Sequence, residues 1–74
     1  MSLVDIESEV TGNVWKIEIK VGDHVNTEDV LLILESMKME IPVEATCDGT
    51  VVKLLVKEED AVEEDQIVAV IETE

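Results

Sequence analysis

The sequence predicts an all-β domain in which two four-stranded antiparallel sheets pack face to face with quasi-twofold symmetry. Three observations support this fold class. Short runs in which apolar and polar residues alternate are separated by turn residues, and no interval has the spacing of an amphipathic helix. The second half of the chain also repeats the first, which predicts two half-domains of similar structure.

The first half of the chain supplies about four predicted strands. Alternation from Leu3 to Glu9 indicates an opening strand. A half-buried strand follows, and its inward positions are predicted to be Trp15, Ile17, Ile19 and Val21. A short segment at Val25 precedes the apolar run of residues 30–34, which predicts a buried strand.

The second half follows the same pattern. Residues 52–56 alternate like the earlier strand, and residues 58–65 are too acidic and interrupted for a helix, which indicates a turn, a short strand and a turn. A shift of 37 residues superposes the halves, pairing Gly12 with Gly49, Val14 with Val51, Lys16 with Lys53, Lys20 with Lys57, Asp23 with Asp60, Val25 with Val62 and Glu35 with Glu72. Four of the five lysines pair in this way and Lys38 does not, so Lys38 is expected to serve something other than the fold.

A hairpin is predicted in the middle of the chain, with Met37 and Lys38 as its two loop residues. This register places Leu34 opposite Ile41, so that apolar side chains face each other. It also places Glu35 opposite Glu40 and leaves the tip without the Gly, Asn or Asp that tight hairpin turns prefer. Because local preferences fail twice here, the tip is a candidate functional site.

The hairpin tip, Glu35-Ser36-Met37-Lys38-Met39-Glu40, resembles the biotin-attachment motif of biotinyl domains, whose core is Met-Lys-Met. The resemblance implies that Lys38 is the covalent acceptor of biotin. It also implies that Met37 and Met39 flank it for recognition, within a tip completed by Glu35, Ser36 and Glu40. The alternative interpretation is a solvated turn lysine between two methionines that belong to the edge of the core.

The resemblance covers nearly the whole chain and implies one biotinyl domain over residues 1–74, folded as a flattened barrel-sandwich hybrid. The matching positions are Gly12, Gly22-Asp23, Val25, Met37-Lys38-Met39 and 45–49. This family usually has glycine where the chain has Glu28, Glu59 and Asp65, so these three residues are expected at positive φ. No thumb-like insertion and no Pro/Ala-rich linker is seen, which suggests a free-standing carrier or an excised module.

A biotin carboxyl carrier of this kind catalyses nothing and uses no metal. By resemblance, a biotin protein ligase attaches biotin to Lys38, and a biotin carboxylase then loads the biotin with CO2 using ATP and bicarbonate. A carboxyltransferase passes the carboxyl group to an acyl-CoA or keto acid. Two alternatives remain: a lipoyl carrier of a 2-oxoacid dehydrogenase-type complex, in which Asp and Ala usually flank the lysine, and an unmodified module that only mediates protein contacts.

The composition limits which classes of molecule the protein is expected to bind. A net charge of −14, from 19 acidic residues against 5 lysines, argues against nucleic acid and anionic membranes and favours a basic protein surface. The single cysteine, Cys47, cannot form an intramolecular disulfide, and the single histidine, His24, cannot build a Cys/His metal site with it. Because the chain shows neither a signal segment nor a long apolar run, a cytoplasmic protein is expected.

Overall fold

A computed structural model describes residues 2–73 of the chain, and eight strands account for its regular structure in that range. The strands are β1 (Leu3–Glu7), β2 (Gly12–Ile17), β3 (His24–Val25), β4 (Val30–Ser36), β5 (Met39–Glu44), β6 (Gly49–Leu54), β7 (Ala61–Val62) and β8 (Ile67–Glu72). Between residues 2 and 73 no helix has the length and apolarity needed to cross a membrane.

The strands form two four-stranded sheets in which every neighbouring pair is antiparallel. The hairpin sheet has the order β5-β4-β2-β7, and the terminal sheet has the order β1-β8-β6-β3. The predicted sandwich of two four-stranded sheets is therefore confirmed. A shift of 37 residues converts one strand order into the other, so each sheet contains two strands from each half of the sequence. The halves are interleaved, and neither can form its sheet alone.

The core lies between the two sheets and obeys the same repeat. Its buried side chains occupy equivalent positions in the two halves, as in the pairs Ile6 and Val43, Val14 and Val51, Val25 and Val62, Leu31 and Val68, Leu32 and Ala69, and Leu34 and Ile71. Burial of a Leu or Ile side chain stabilises a fold by roughly 1.5–3 kcal/mol. The hydrophobic contribution therefore comes from both sheets about equally, and neither sheet is a separate folding unit.

The predicted inward positions of the second strand are wrong at Trp15 and Val21. Val14 is buried, with 1% of its surface exposed, whereas Trp15 is 50% exposed and Val21 is 58% exposed. At Trp15 the cause is a β-bulge: Val14 pairs with Leu34, but the next pair joins Lys16 to Ile33, so Trp15 is an extra residue that reverses the alternation. Val21 is exposed because it lies in a turn beyond the end of β2. The equivalent bulge occurs in β6 between Val51 and Lys53.

Three turns contain acidic residues in the left-handed region, as the resemblance predicts. The φ values of Glu28, Glu59 and Asp65 are 77°, 76° and 70°. The N–H of Glu28 donates a hydrogen bond to the carbonyl oxygen of Ala45 at 2.8 Å, and the N–H of Asp65 donates one to the carbonyl oxygen of Ser8 at 2.7 Å. These backbone bonds hold each turn in a conformation that favours glycine.

Glu28→Gly and Glu59→Gly are each expected to leave the free energy of unfolding unchanged or to raise it by up to about 1 kcal/mol, because glycine relieves the positive-φ strain. Urea denaturation measures the change. Glu64→Gly is the matched control, since Glu64 is exposed and has an ordinary φ, and there glycine only adds freedom to the unfolded chain. A clear loss of stability in both test variants would contradict the assignment of strain.

The two ends of the described chain meet in the terminal sheet. The N–H of Thr73 donates a hydrogen bond to the carbonyl oxygen of Ser2 at 2.8 Å, beside the pair Leu3 and Glu72. Under the 37-residue shift this pair of ends is equivalent to Ser36 and Met39, the last pair of the hairpin. The predicted neighbours Met1 and Glu74 lie outside the described residues.

Candidate functional site

The hairpin formed by β4 and β5 has the register predicted from the sequence. Leu34 pairs with Ile41 and Leu32 pairs with Val43, and the two leucines are fully buried. The last pair is Ser36 with Met39, so the loop consists of Met37 and Lys38 alone. The apolar pairs fix the hairpin to the core, and this anchoring determines which two residues occupy the tip.

Both loop residues lie in the left-handed region, with φ values of 52° at Met37 and 67° at Lys38. Two consecutive positive φ angles in a two-residue hairpin loop are the mark of a type I′ turn, which normally uses Asn or Gly. A non-glycine residue in this region costs on the order of 1 kcal/mol. The tip therefore combines strain with residue types that the turn does not favour, and the sequence pattern alone did not reveal the strain.

The side chains of the tip point into solvent. Met37 is 91% exposed and Met39 is 63% exposed, so neither methionine belongs to the edge of the core, and the alternative interpretation is wrong on this point. Lys38 is also exposed. Within residues 2–73 the only ion pair joins Lys16 to Glu18 at 3.5 Å, which leaves the Lys38 amine without a carboxylate partner there.

The loop end of the hairpin contacts the turn before β2. Ser36 Oγ donates a hydrogen bond to the carbonyl oxygen of Thr11 at 2.9 Å. A Cβ on Gly12 would lie 2.7 Å from the carbonyl oxygen of Glu35, so only glycine allows this close approach. Thr11 and Gly12 therefore support the tip, a role that the sequence analysis missed although the repeat had already singled out Gly12.

The predicted like-charge pair of Glu35 and Glu40 is confirmed, and both residues are exposed. Two carboxylates opposite each other destabilise a sheet modestly, and solvent screens most of the repulsion. Among residues 2–73 no group of three or more His, Cys, Asp and Glu side chains is arranged to hold a metal ion. The chemistry that the site offers is an accessible primary amine on an exposed two-residue turn.

Comparison with known proteins places this geometry in a family. A family model described as "Biotin-requiring enzyme" matches residues 3–71. The chain is 40% identical over 67 residues to a biotinylated protein TB7.3 homolog of Mycobacterium leprae, covering 90% of this chain and 94% of that protein. It is also 40% identical over 62 residues to the biotin/lipoyl attachment protein of Bacillus subtilis, covering 84% of this chain and 85% of that protein.

A solved structure agrees with these relatives. The crystal structure of the Kluyveromyces lactis urea carboxylase superposes with a TM-score of 0.90 and 45% sequence identity. The match covers 96% of this chain and 6% of that carboxylase, so the chain is similar to one small part of the larger enzyme. The chain belongs to the family of biotin/lipoyl attachment domains.

Proposed function

We propose that the chain is a biotin carboxyl carrier whose Lys38 holds biotin through an amide bond. The observation that carries the proposal is the position of Lys38 at the apex of a two-residue turn, exposed between two exposed methionines. The family match, and the similarity to a part of a urea carboxylase, support biotin as the group attached.

The residues of the chain hold and present the amine, and they supply no acid or base for the reaction. In the attachment step the Lys38 ammonium first loses one proton, and the neutral Nζ attacks the carboxyl carbon of biotin, which ATP has activated as the adenylate. The amide bond forms as the bond to AMP breaks and a second proton is released, so the cationic charge of the side chain disappears. Met37 and Met39 offer apolar, adaptable surface beside the amine, where the ligase must bind. Attached biotin supplies the ring that accepts and releases a carboxyl group.

The partners implied are a biotin protein ligase, a biotin carboxylase and a carboxyltransferase that acts on an acyl-CoA or keto acid. A carrier raises the effective concentration of its cofactor at two active sites without releasing it. The anchored hairpin and the exposed tip suit this task, since the lysine and its cofactor extend away from the body of the domain.

The experiment that tests the proposal uses the purified chain, a purified biotin ligase, biotin and ATP. Intact-mass measurement and peptide mapping are expected to show one biotin per chain, on Lys38. The modified chain, given biotin carboxylase, ATP and labelled bicarbonate, is then expected to take up one acid-labile carboxyl group. A chain that remains unmodified, or carries biotin on another lysine, contradicts the proposal.

The flanking methionines are expected to decide which cofactor is accepted, because lipoyl domains usually carry Asp and Ala beside the lysine. The double variant Met37→Asp, Met39→Ala is expected to lower the biotinylation rate by about tenfold or more, since it removes the apolar contacts that the two methionines make with the ligase. Asp tolerates positive φ better than Met, so the turn is expected to persist. A lipoate ligase is assayed in parallel, and an unchanged biotinylation rate would show that the methionines are passive.

The terminal sheet is expected to tolerate fusions, because the ends of the described chain meet at the position equivalent to the tip in the other sheet. No Cα atom of β4 or β5 lies within 8 Å of a Cα atom of β1 or β8. A large folded domain fused to either terminus is therefore expected to change the biotinylation rate less than about twofold. An insertion between Leu34 and Ile41 is expected to abolish modification, and a terminal fusion that blocks it in a folded domain would refute this arrangement.

A further inference from the structure

The quasi-twofold repeat provides an internal standard for what the fold requires. Residues 2–36 have equivalent positions at 39–73, with the same strand order and matching turn hydrogen bonds. If an exposed residue stabilises the fold less than the residue at the equivalent position would, folding does not explain its presence. Two such residues are Trp15, on the hairpin sheet, and Glu59, in the turn that precedes β7. Glu35 has the same residue type as its equivalent, Glu72, but a different cross-strand partner.

Trp15 is the only aromatic residue of the chain. It occupies the bulge of β2, whereas the equivalent bulge of β6 holds Val52, which is half-buried. Trp15 is 50% exposed and contributes nothing to the buried core. Because a valine satisfies the same backbone geometry, the exposed indole is not there to form the bulge.

Glu59 and Glu35 depart from their equivalents in ways that cost stability. Glu59 has φ 76°, and its equivalent is Gly22 at φ 101°, so the second half places a carboxylate where the first half has the favoured glycine. Glu35 faces Glu40 across the hairpin, whereas its equivalent, Glu72, faces Leu3. Only the hairpin sheet therefore carries this like-charge pair.

These three residues line one shallow depression on the hairpin sheet, together with Asn13 and Val14. We name this depression the Trp15 notch. The N–H of Glu59 donates a hydrogen bond to the carbonyl oxygen of Val14 at 2.8 Å, which fixes the strained turn against β2. An indole beside two carboxylates and an amide is a set of groups that suits arginine, whose planar guanidinium stacks on aromatic rings and binds carboxylates.

The position of the notch connects it to Lys38. Glu35 belongs both to the notch and to the hairpin tip, three residues before Lys38. A ligase acts on the bare lysine, before any cofactor arm extends its reach, so its active site must approach the tip closely. The surface beside the tip on the hairpin sheet is then covered by the ligase.

We propose that the Trp15 notch receives an arginine side chain of the biotin ligase while Lys38 occupies the active site. This proposal rests on the proposed function. The guanidinium reduces the repulsion between Glu35 and Glu40 and binds the Glu59 carboxylate on the strained turn. The notch therefore determines how tightly the ligase binds its acceptor and leaves the chemical step unchanged.

The kinetic test uses Trp15→Val and Glu59→Gly, which copy the residues at the equivalent positions and so preserve the fold. Each variant is expected to raise the acceptor KM of the ligase about tenfold with kcat unchanged, the usual effect of truncating a central interface residue. Leu3→Ala is the matched control, because Leu3 is 64% exposed on the terminal sheet, and its KM is expected to stay within about twofold. Added salt is expected to raise the KM of the unaltered domain more steeply than that of Glu59→Gly, because one carboxylate is missing there.

A binding measurement separates the notch from the tip. The ¹⁵N-labelled Lys38→Arg domain, which cannot react, has a single indole N–H resonance, and this resonance is expected to shift or broaden when unlabelled ligase is added. An unmoved indole resonance with shifted amides at residues 37–39, or a KM within twofold of the unaltered domain in both notch variants, overturns the proposal. Failure of the ligase to modify the unaltered domain would overturn the proposed function and the notch proposal together.

Discussion

Lys38→Arg is expected to abolish biotinylation completely while leaving the fold intact. Arginine keeps the positive charge and a straight aliphatic stem, but its guanidinium does not form the amide that a primary amine forms. The substituted side chain is exposed and makes no ion pair within residues 2–73, so the melting temperature is expected to change by less than about 2 °C. Intact mass after incubation with ligase, biotin and ATP measures the modification.

The other four lysines serve as internal controls for this result. Lys16, Lys20, Lys53 and Lys57 are all exposed, so modification of Lys38 alone would show that accessibility does not select the acceptor. None of them lies in a two-residue hairpin loop. Lys53→Arg is expected to be biotinylated at the rate of the unaltered domain. Biotin on any of these four lysines in the Lys38→Arg variant would show that the tip is not the recognised site.

Gly49→Ala is expected to destabilise the domain by about 3 kcal/mol or more, because the added Cβ has no space. It would overlap the carbonyl oxygen of Glu72 and lie 2.7 Å from Ile71 Cγ2, and Ile71 is fully buried. Either β8 must move away from β6 or the buried isoleucine must leave its position. For a domain of this size the melting temperature is expected to fall by on the order of 15 °C, which calorimetry measures.

Alanine variants of two other glycines provide comparisons for this prediction. Gly22→Ala introduces a Cβ with no atom within 4 Å, so its cost is limited to the positive φ of 101°, about 1 kcal/mol. Gly12→Ala would place Cβ 2.7 Å from the carbonyl oxygen of Glu35 and is expected to cost more than Gly22→Ala. If Gly49→Ala and Gly22→Ala were equally stable, close packing at Gly49 would not be the reason for its glycine.

The hairpin register was predictable from the sequence because apolar residues specify it on both strands. A slip of one residue would turn the inward side chains of one strand, such as Leu34 or Val43, away from the core. The position of Lys38 at the tip follows directly from that register. Eight strands and their equivalence in the two halves were likewise expected, since the repeat aligns strands with strands.

The bulge, the strand pairing and the strained tip cannot be predicted from the alternation of apolar and polar residues. A bulge adds one residue without a sequence signal, and for this reason the pattern around Trp15 predicted the wrong face. The repeat shows that the halves are equivalent but leaves open which strands pair, so the interleaving of the halves appears only in the structure. The strain at Met37 and Lys38 follows from the two-residue loop that closes the hairpin, against the preference of the residues themselves.

Whether Lys38 carries biotin is decided by the intact mass and peptide map of the protein isolated from its own cells. We expect a chain with one biotinyl group, located on the peptide that contains Met37, Lys38 and Met39. A lipoyl group at this position, or an unmodified Lys38 in cells whose biotin ligase is active, would contradict this expectation.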